Sequence, residues 1–125
     1  MTTPYVIDIR VNTRYLPDQS TPEQNRYAFA YTITIINRGA KPAKLLRRHW
    51  VITDGNQRVQ EVHGEGVVGQ QPRLNPGQNF QYTSGAVIDT KVGSMYGEFT
   101  FTTDEGELFD APIAPFTLAD PHAVN

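Results

Sequence analysis

The sequence predicts an all-β protein built as a two-sheet antiparallel sandwich, and three observations carry that prediction. Apolar residues alternate with polar ones along several stretches, the period-two signature of half-buried strands. Clusters of Gly, Pro, Asn and Asp separate those stretches, as turns do. Ten Gly and nine Pro are spread along 125 residues, a spacing that breaks helices and bounds short strands. About seven short strands joined by turns is the pattern of a sandwich.

Ile7, Ile9 and Val11 alternate with Asp8, Arg10 and Asn12 as a half-buried strand. Tyr27, Phe29, Tyr31, Ile33 and Ile35 form the strongest alternation in the chain, and their face is assigned to the core; Asn37-Arg38-Gly39 ends the strand. Pro42 to Trp50 fits either a helical turn, with Leu46, His49 and Trp50 on one side, or a strand with Leu46, Trp50 and Ile52 inward. The strand is preferred because Val51-Ile52-Thr53 runs straight into Asp54-Gly55-Asn56, which reads as a hairpin turn. The lone Trp50 is read as core packing. Asn75-Pro76-Gly77 has the Pro and Gly placement of a type II turn. Phe80 and Tyr82 alternate with Gln81 and Thr83. Met95, Phe99 and Phe101 share one face of a further strand, with Glu98, Thr100 and Thr102 on the other. Asp104-Glu105-Gly106 is a turn, and Leu108 to Leu118 is a last extended piece. Pro112 and Pro115 cannot donate to a ladder, which assigns that piece to a sheet edge.

The length fits one domain over residues 1–125, with a core from about 5 to 118 and a tail, 119–125, that lacks periodicity and is expected to fray. Eleven Lys and Arg against thirteen Asp and Glu give a net charge of -2, which argues against a nucleic-acid binder driven by bulk positive charge. Six Phe, six Tyr and one Trp are too much core material for a disordered acidic tail. The absence of Cys excludes disulfides, thiolate metal sites and a cysteine nucleophile. Met1-Thr2-Thr3-Pro4 is not the start of a signal peptide, and no apolar run approaches the roughly 20 residues of a membrane span. A cytoplasmic protein, monomer or homodimer, is expected.

His63-Gly64-Glu65-Gly66-Val67-Val68-Gly69 contains G-x-G-x-x-G, but Gln70 to Gly77 cannot continue as the helix that a dinucleotide-binding unit needs. The motif then reads either as a loop whose glycines meet backbone constraints, or as an anion-binding nest. In the second case Gly64, Gly66 and Gly69 supply amides to a phosphate-containing ligand, assisted by His63, Arg58 and Arg73. Asp104, Glu105, Glu107 and Asp110 offer oxygens to a hard cation, or are the solubilising acids of a hairpin tip. His49, His63 and His122 match no zinc spacing, and His49 is read as a packed or surface side chain of its strand. Neither Ser84 nor Ser94 lies in G-x-S-x-G, so no catalytic residue, metal ligand or cofactor is assigned. Six Lys or Arg against two acids lie between Arg38 and His63, and seven acids against one Lys follow from Asp89 onward. That asymmetry describes either a polarised molecule that steers a partner or two ordinary solvated faces.

Several blocks in order resemble the ApaG family. They are Leu45-Leu46-Arg47-Arg48-His49-Trp50-Val51-Ile52-Thr53-Asp54, Gly64 to Pro72, Pro76-Gly77, Tyr82-Thr83-Ser84-Gly85 and Gly93-Ser94-Met95-Tyr96-Gly97. The Tyr27 to Ile35 strand also fits, and the resemblance runs from about Ile7 to Leu118. One departure is Ile113-Ala114-Pro115-Phe116, where the family pattern I-P-x-F places Pro one residue earlier. The resemblance implies an immunoglobulin-like or fibronectin type III-like sandwich in a bacterial protein. It implies a family named for a gene beside a diadenosine tetraphosphate hydrolase and labelled, from phenotype, with cobalt resistance and magnesium efflux. Related domains in eukaryotic F-box and polymerase-interacting proteins look like interaction modules. The expected function is therefore non-enzymatic binding of a protein partner, through the Gly64 to Arg73 loop or an exposed sheet face. Phosphate-ligand binding at the glycine loop and weak divalent-metal binding at the acids of 104–110 are the alternatives.

Overall fold

A computed structural model describes residues 5–122; Met1–Pro4 and the last three residues of the expected tail lie outside them. Eight strands follow in order: β1 (Ile7–Tyr15), β2 (Tyr27–Asn37), β3 (Ala43–Asp54), β4 (Val59–Glu65), β5 (Arg73–Leu74), β6 (Asn79–Ile88), β7 (Val92–Thr103) and β8 (Leu108–Ala119). Between β1 and β2 lie two short 3₁₀ turns, Pro17–Gln19 and Pro22–Gln24, each opened by a proline. One antiparallel sheet has the order β1-β2-β6. The other has the order β4-β3-β7-β8, with β5 pairing the start of β3. Among the described residues no helix is long and apolar enough to cross a membrane.

The alternation in β2 becomes burial. Phe29, Ile33 and Ile35 are almost wholly buried and face Leu45, Trp50, Met95, Phe99 and Phe101 of the second sheet. Trp50 is central, with the rings of Tyr31, Phe99 and Phe116 at 5.4, 6.0 and 5.8 Å around it, mostly edge-on. Such contacts add to the area that the rings bury. The ambiguous stretch from Pro42 to Trp50 is a strand from Ala43 onward. Leu46 is not inward as the simple alternation predicts. It is the extra residue of a bulge, since Leu45 pairs Phe101 while Arg47 pairs Thr100.

The turns show which glycines the backbone requires. Gly77 takes φ 86° and Gln78 N–H donates to Asn75 O at 3.0 Å, as a type II turn demands. In the Asp54 turn the left-handed residue is Gln57, at φ 65°. Gly55 fits closely there, since a Cβ would meet Thr90 Oγ1 at 3.1 Å and Val92 O at 3.2 Å. Asn37 is fully buried at the end of β2, yet its side chain is satisfied. Its Nδ2 donates to Lys41 O and Leu74 O, both at 2.9 Å, and its Oδ1 accepts Gly39 N–H. That single amide ties the ends of β2 and β5 to the β2–β3 connection.

β8 lies at a sheet edge, as its prolines require. The shifted Pro115 has a local reason. Met95 pairs Phe116 and Gly97 pairs Ile113, so Ala114 and Pro115 together oppose Tyr96. The proline occupies a bulge, where its missing N–H costs no ladder bond. The strand continues to Ala119, and Asp120 N–H donates to Lys91 O at 3.0 Å, so the chain stays anchored past Leu118.

Candidate functional site

The glycine motif is partly strand and partly turn. Gly64 and Glu65 end β4, and the following residues make a tight hairpin. Val67 and Gln70 exchange both backbone hydrogen bonds, at 2.8 and 2.9 Å, across Val68 at φ 43° and Gly69 at φ 79°. Two successive positive φ values are a type I′ turn. Gly suits its second position, but Val68 is β-branched and strained at its first. Val67 is fully buried and anchors the turn, while Val68 is held out, 53% exposed.

Each glycine has an internal task. A Cβ on Gly64 would sit 2.6 Å from the Arg48 guanidinium, which lies across it and donates to Glu65 O and Gly66 O at 3.1 and 2.9 Å. A Cβ on Gly66 would fall 2.4 Å from Gln70 O, and φ there is 63°. The Gly66 N–H donates to Leu46 O at 2.7 Å, and Gln71 Nε2 donates to the same carbonyl at 2.9 Å. The bulge of β3 thus turns a carbonyl toward the loop and docks it.

The residues grouped at the glycine motif by sequence are not all brought together. Arg73 pairs with Lys44 at the start of β3, whereas Arg58 N–H bonds Asp54 Oδ1 at its end. The two positions are roughly 30 Å apart along the strand. Arg73 holds Asp104 with bonds of 3.2 and 2.7 Å, and Arg58 approaches Asp89 at 3.4 Å. Only His63 lies beside the loop, immediately before Gly64 on β4. The acids of 104–110 are likewise engaged apart: Asp104 by Arg73, and Asp110 by the Thr100 hydroxyl at 2.7 Å.

The register gathers a different set on the outer face of β4-β3-β7. His63, His49 and Glu98 lie side by side across the three strands, and Glu61 sits two residues along β4. His49 Nδ1 is 2.7 Å from Glu98 Oε1 and its Nε2 is 3.0 Å from Glu61 Oε1. The His63 ring stacks on it, centroids 4.2 Å apart and planes 11° apart. With a carboxylate at each ring nitrogen, Glu98 first and Glu61 second, His49 is held above the usual histidine range. A shallow concavity there is lined by His49, His63 and Glu98 together with Arg47, Arg48, Gly64 and Glu65, so three of the four side chains adjoin the end of β4 where the glycine motif begins. Sequence reasoning missed this set because its members come from three strands. Only the alternation that turns His49 away from Trp50 pointed to the outer face.

The sequence profile of the ApaG domain matches residues 17–103. "Protein ApaG" of Ectopseudomonas mendocina is 60% identical over 121 residues, covering 97% of this chain and 96% of the relative. That of Pseudomonas aeruginosa is 56% identical over 123 residues, 98% of each. A crystal structure of the putative ApaA protein from Bordetella pertussis superposes with a TM-score of 0.93 at 50% identity, over 97% of this chain and 98% of that one. A protein from Archaeoglobus fulgidus, 8% identical, shares the fold alone, with a TM-score of 0.54 over 92% of this chain and 98% of that one.

Proposed function

The chain belongs to the ApaG domain family, and from that premise we propose that it is a non-enzymatic, cytoplasmic binding module that takes up an extended segment of a partner protein along the β4 edge. The observation that carries this reading is the contrast between the two edges of the larger sheet. β8 is blunted by Pro112 and Pro115, whereas β4 has no proline and, among the described residues, pairs only with β3, leaving its outer side open. β4 runs directly into the turn that holds Val68 out in a strained conformation. An added strand gains main-chain hydrogen bonds, and alternate side chains set its specificity.

The side chains on the outer face of β4 are Val59, Glu61, His63 and Glu65. Carboxylates at alternate positions disfavour pairing with a second copy, because like charges across a strand pair repel. They suit a segment with Lys or Arg at alternate positions and an apolar residue against Val68. The phosphate-ligand reading has less support, since the Gly66 amide and the Arg48, Arg58 and Arg73 guanidiniums already have partners in the chain.

The test is affinity capture from a lysate of Pseudomonas aeruginosa by immobilised wild type, Val68→Gly, Glu65→Lys and, as a control at the other edge, Leu108→Lys. Val68→Gly relaxes the turn while removing the apolar tip, so lost capture cannot be blamed on a damaged loop. We expect a protein retained by wild type and Leu108→Lys and lost from the other two. Equal retention by all four, or nothing above background on wild type, would contradict the reading.

A further inference from the structure

The histidine–carboxylate set on the outer face has the composition of a metal site. Imidazole nitrogen and carboxylate oxygen are the ligands that zinc takes when no thiolate is present. One donor atom each from His49, Glu61 and His63 lies within 4.8 Å of the others. Around a tetrahedral ion with bonds of about 2.1 Å, such atoms stand roughly 3.4 Å apart. The set is therefore about an ångström from closing.

A second observation is independent of that proximity. Glu98 Oε1 holds His49 Nδ1 at 2.7 Å. A carboxylate on one ring nitrogen is the arrangement that orients a ligating histidine and presents its other nitrogen to the ion. Here the other nitrogen, Nε2, is the one directed at Glu61. An ion would take the place of the proton that these two atoms share. The His63 ring would have to swing out of its stack on His49, which an exposed side chain on an edge strand does through its own torsions.

We propose that His49, Glu61 and His63 bind one divalent transition-metal ion of the Zn²⁺ class on the outer face of the larger sheet, with Glu98 as the positioning residue for His49. Two imidazoles favour such an ion over Mg²⁺ or Ca²⁺, which take oxygen ligands. The fourth coordination position faces solvent. This proposal is independent of strand addition at β4, since its ligands and its readout require no partner.

The test is calorimetric titration of the full chain with ZnCl₂ near neutral pH, with the His ring signals followed by NMR. The expected result is one ion per chain, with His49 and His63 signals shifted. His63→Ala and Glu61→Gln should each weaken binding at least about tenfold, and Glu98→Gln by about tenfold or more while leaving the stoichiometry intact. Asp104→Asn should bind as wild type does, and MgCl₂ should give no comparable heat. His63 and Glu61 are exposed, so these variants keep the fold, and thermal melts check this; Zn²⁺ should raise the wild-type Tm. No binding at millimolar Zn²⁺, wild-type binding by His63→Ala, or equal binding of Mg²⁺ would overturn the proposal.

Discussion

His49 accepts a second proton readily because Glu98 and Glu61 flank its two nitrogens. Its folded pKa lies above the ordinary value of about 6.5. The protonated form is the one that the fold favours. The stability it contributes is therefore complete below the unfolded pKa and is lost as pH rises through the raised folded pKa. Two measurements check this. NMR titration should place His49 above 6.5, and the stability advantage of wild type over His49→Gln should shrink as pH climbs past that midpoint. Inside the sandwich, the Tyr82 hydroxyl is buried without a hydrogen-bond partner among the described residues, and burial holds its pKa well above the usual tyrosine value. An unpaired buried hydroxyl is a cost, so Tyr82→Phe should leave stability unchanged or raise it by up to about 1 kcal/mol in denaturant unfolding. Nothing in the sequence distinguishes Tyr82 from Tyr31 in this respect, because a partner for a hydroxyl depends on what the other sheet places opposite.

At the scale of elements, close approach of β7 to β3 fixes Gly97. A Cβ there would lie 1.9 Å from His49 O, a contact that only backbone movement relieves. Gly97→Ala should cost roughly 2 kcal/mol or more and disturb the outer-face quartet through His49. Asn37→Ala should cost about 2 kcal/mol by removing the amide that the buried Leu74 carbonyl and the part-buried Lys41 carbonyl accept from. Chemical denaturation of both variants tests these values. The strands themselves were legible because period-two burial is a local property: β7 follows its alternation residue by residue, and β2 does so from Phe29 onward. The two bulges were not legible. An extra residue at Leu46, or at Ala114-Pro115, is defined only against a partner strand, and the partner is distant in sequence. The glycine motif shows the same limit. Of its two sequence readings, the backbone constraint is the one that Gly64 and Gly66 display, but what constrains them is Arg48, Leu46 and Gln70, and only the fold brings these near.

For the molecule as a whole, the sequence contains a basic middle and an acidic C-terminal third, and the fold sets parts of the two side by side. β3 lies against β7, and Arg58 meets Asp89, Arg73 meets Asp104 and His49 meets Glu98. These contacts offset part of the charge asymmetry locally. The open β4 edge carries Glu61 and His63 of the histidine–carboxylate quartet and leads into the turn that exposes Val68. The most direct measurement of the central claim is amide hydrogen exchange on the chain, free and with its captured partner. Strand addition predicts slowed exchange in 59–65 and around Val68 in the complex, with β1 and β6 unchanged. Protection confined to the edges of the smaller sheet, with β4 exchanging as in the free chain, would contradict it.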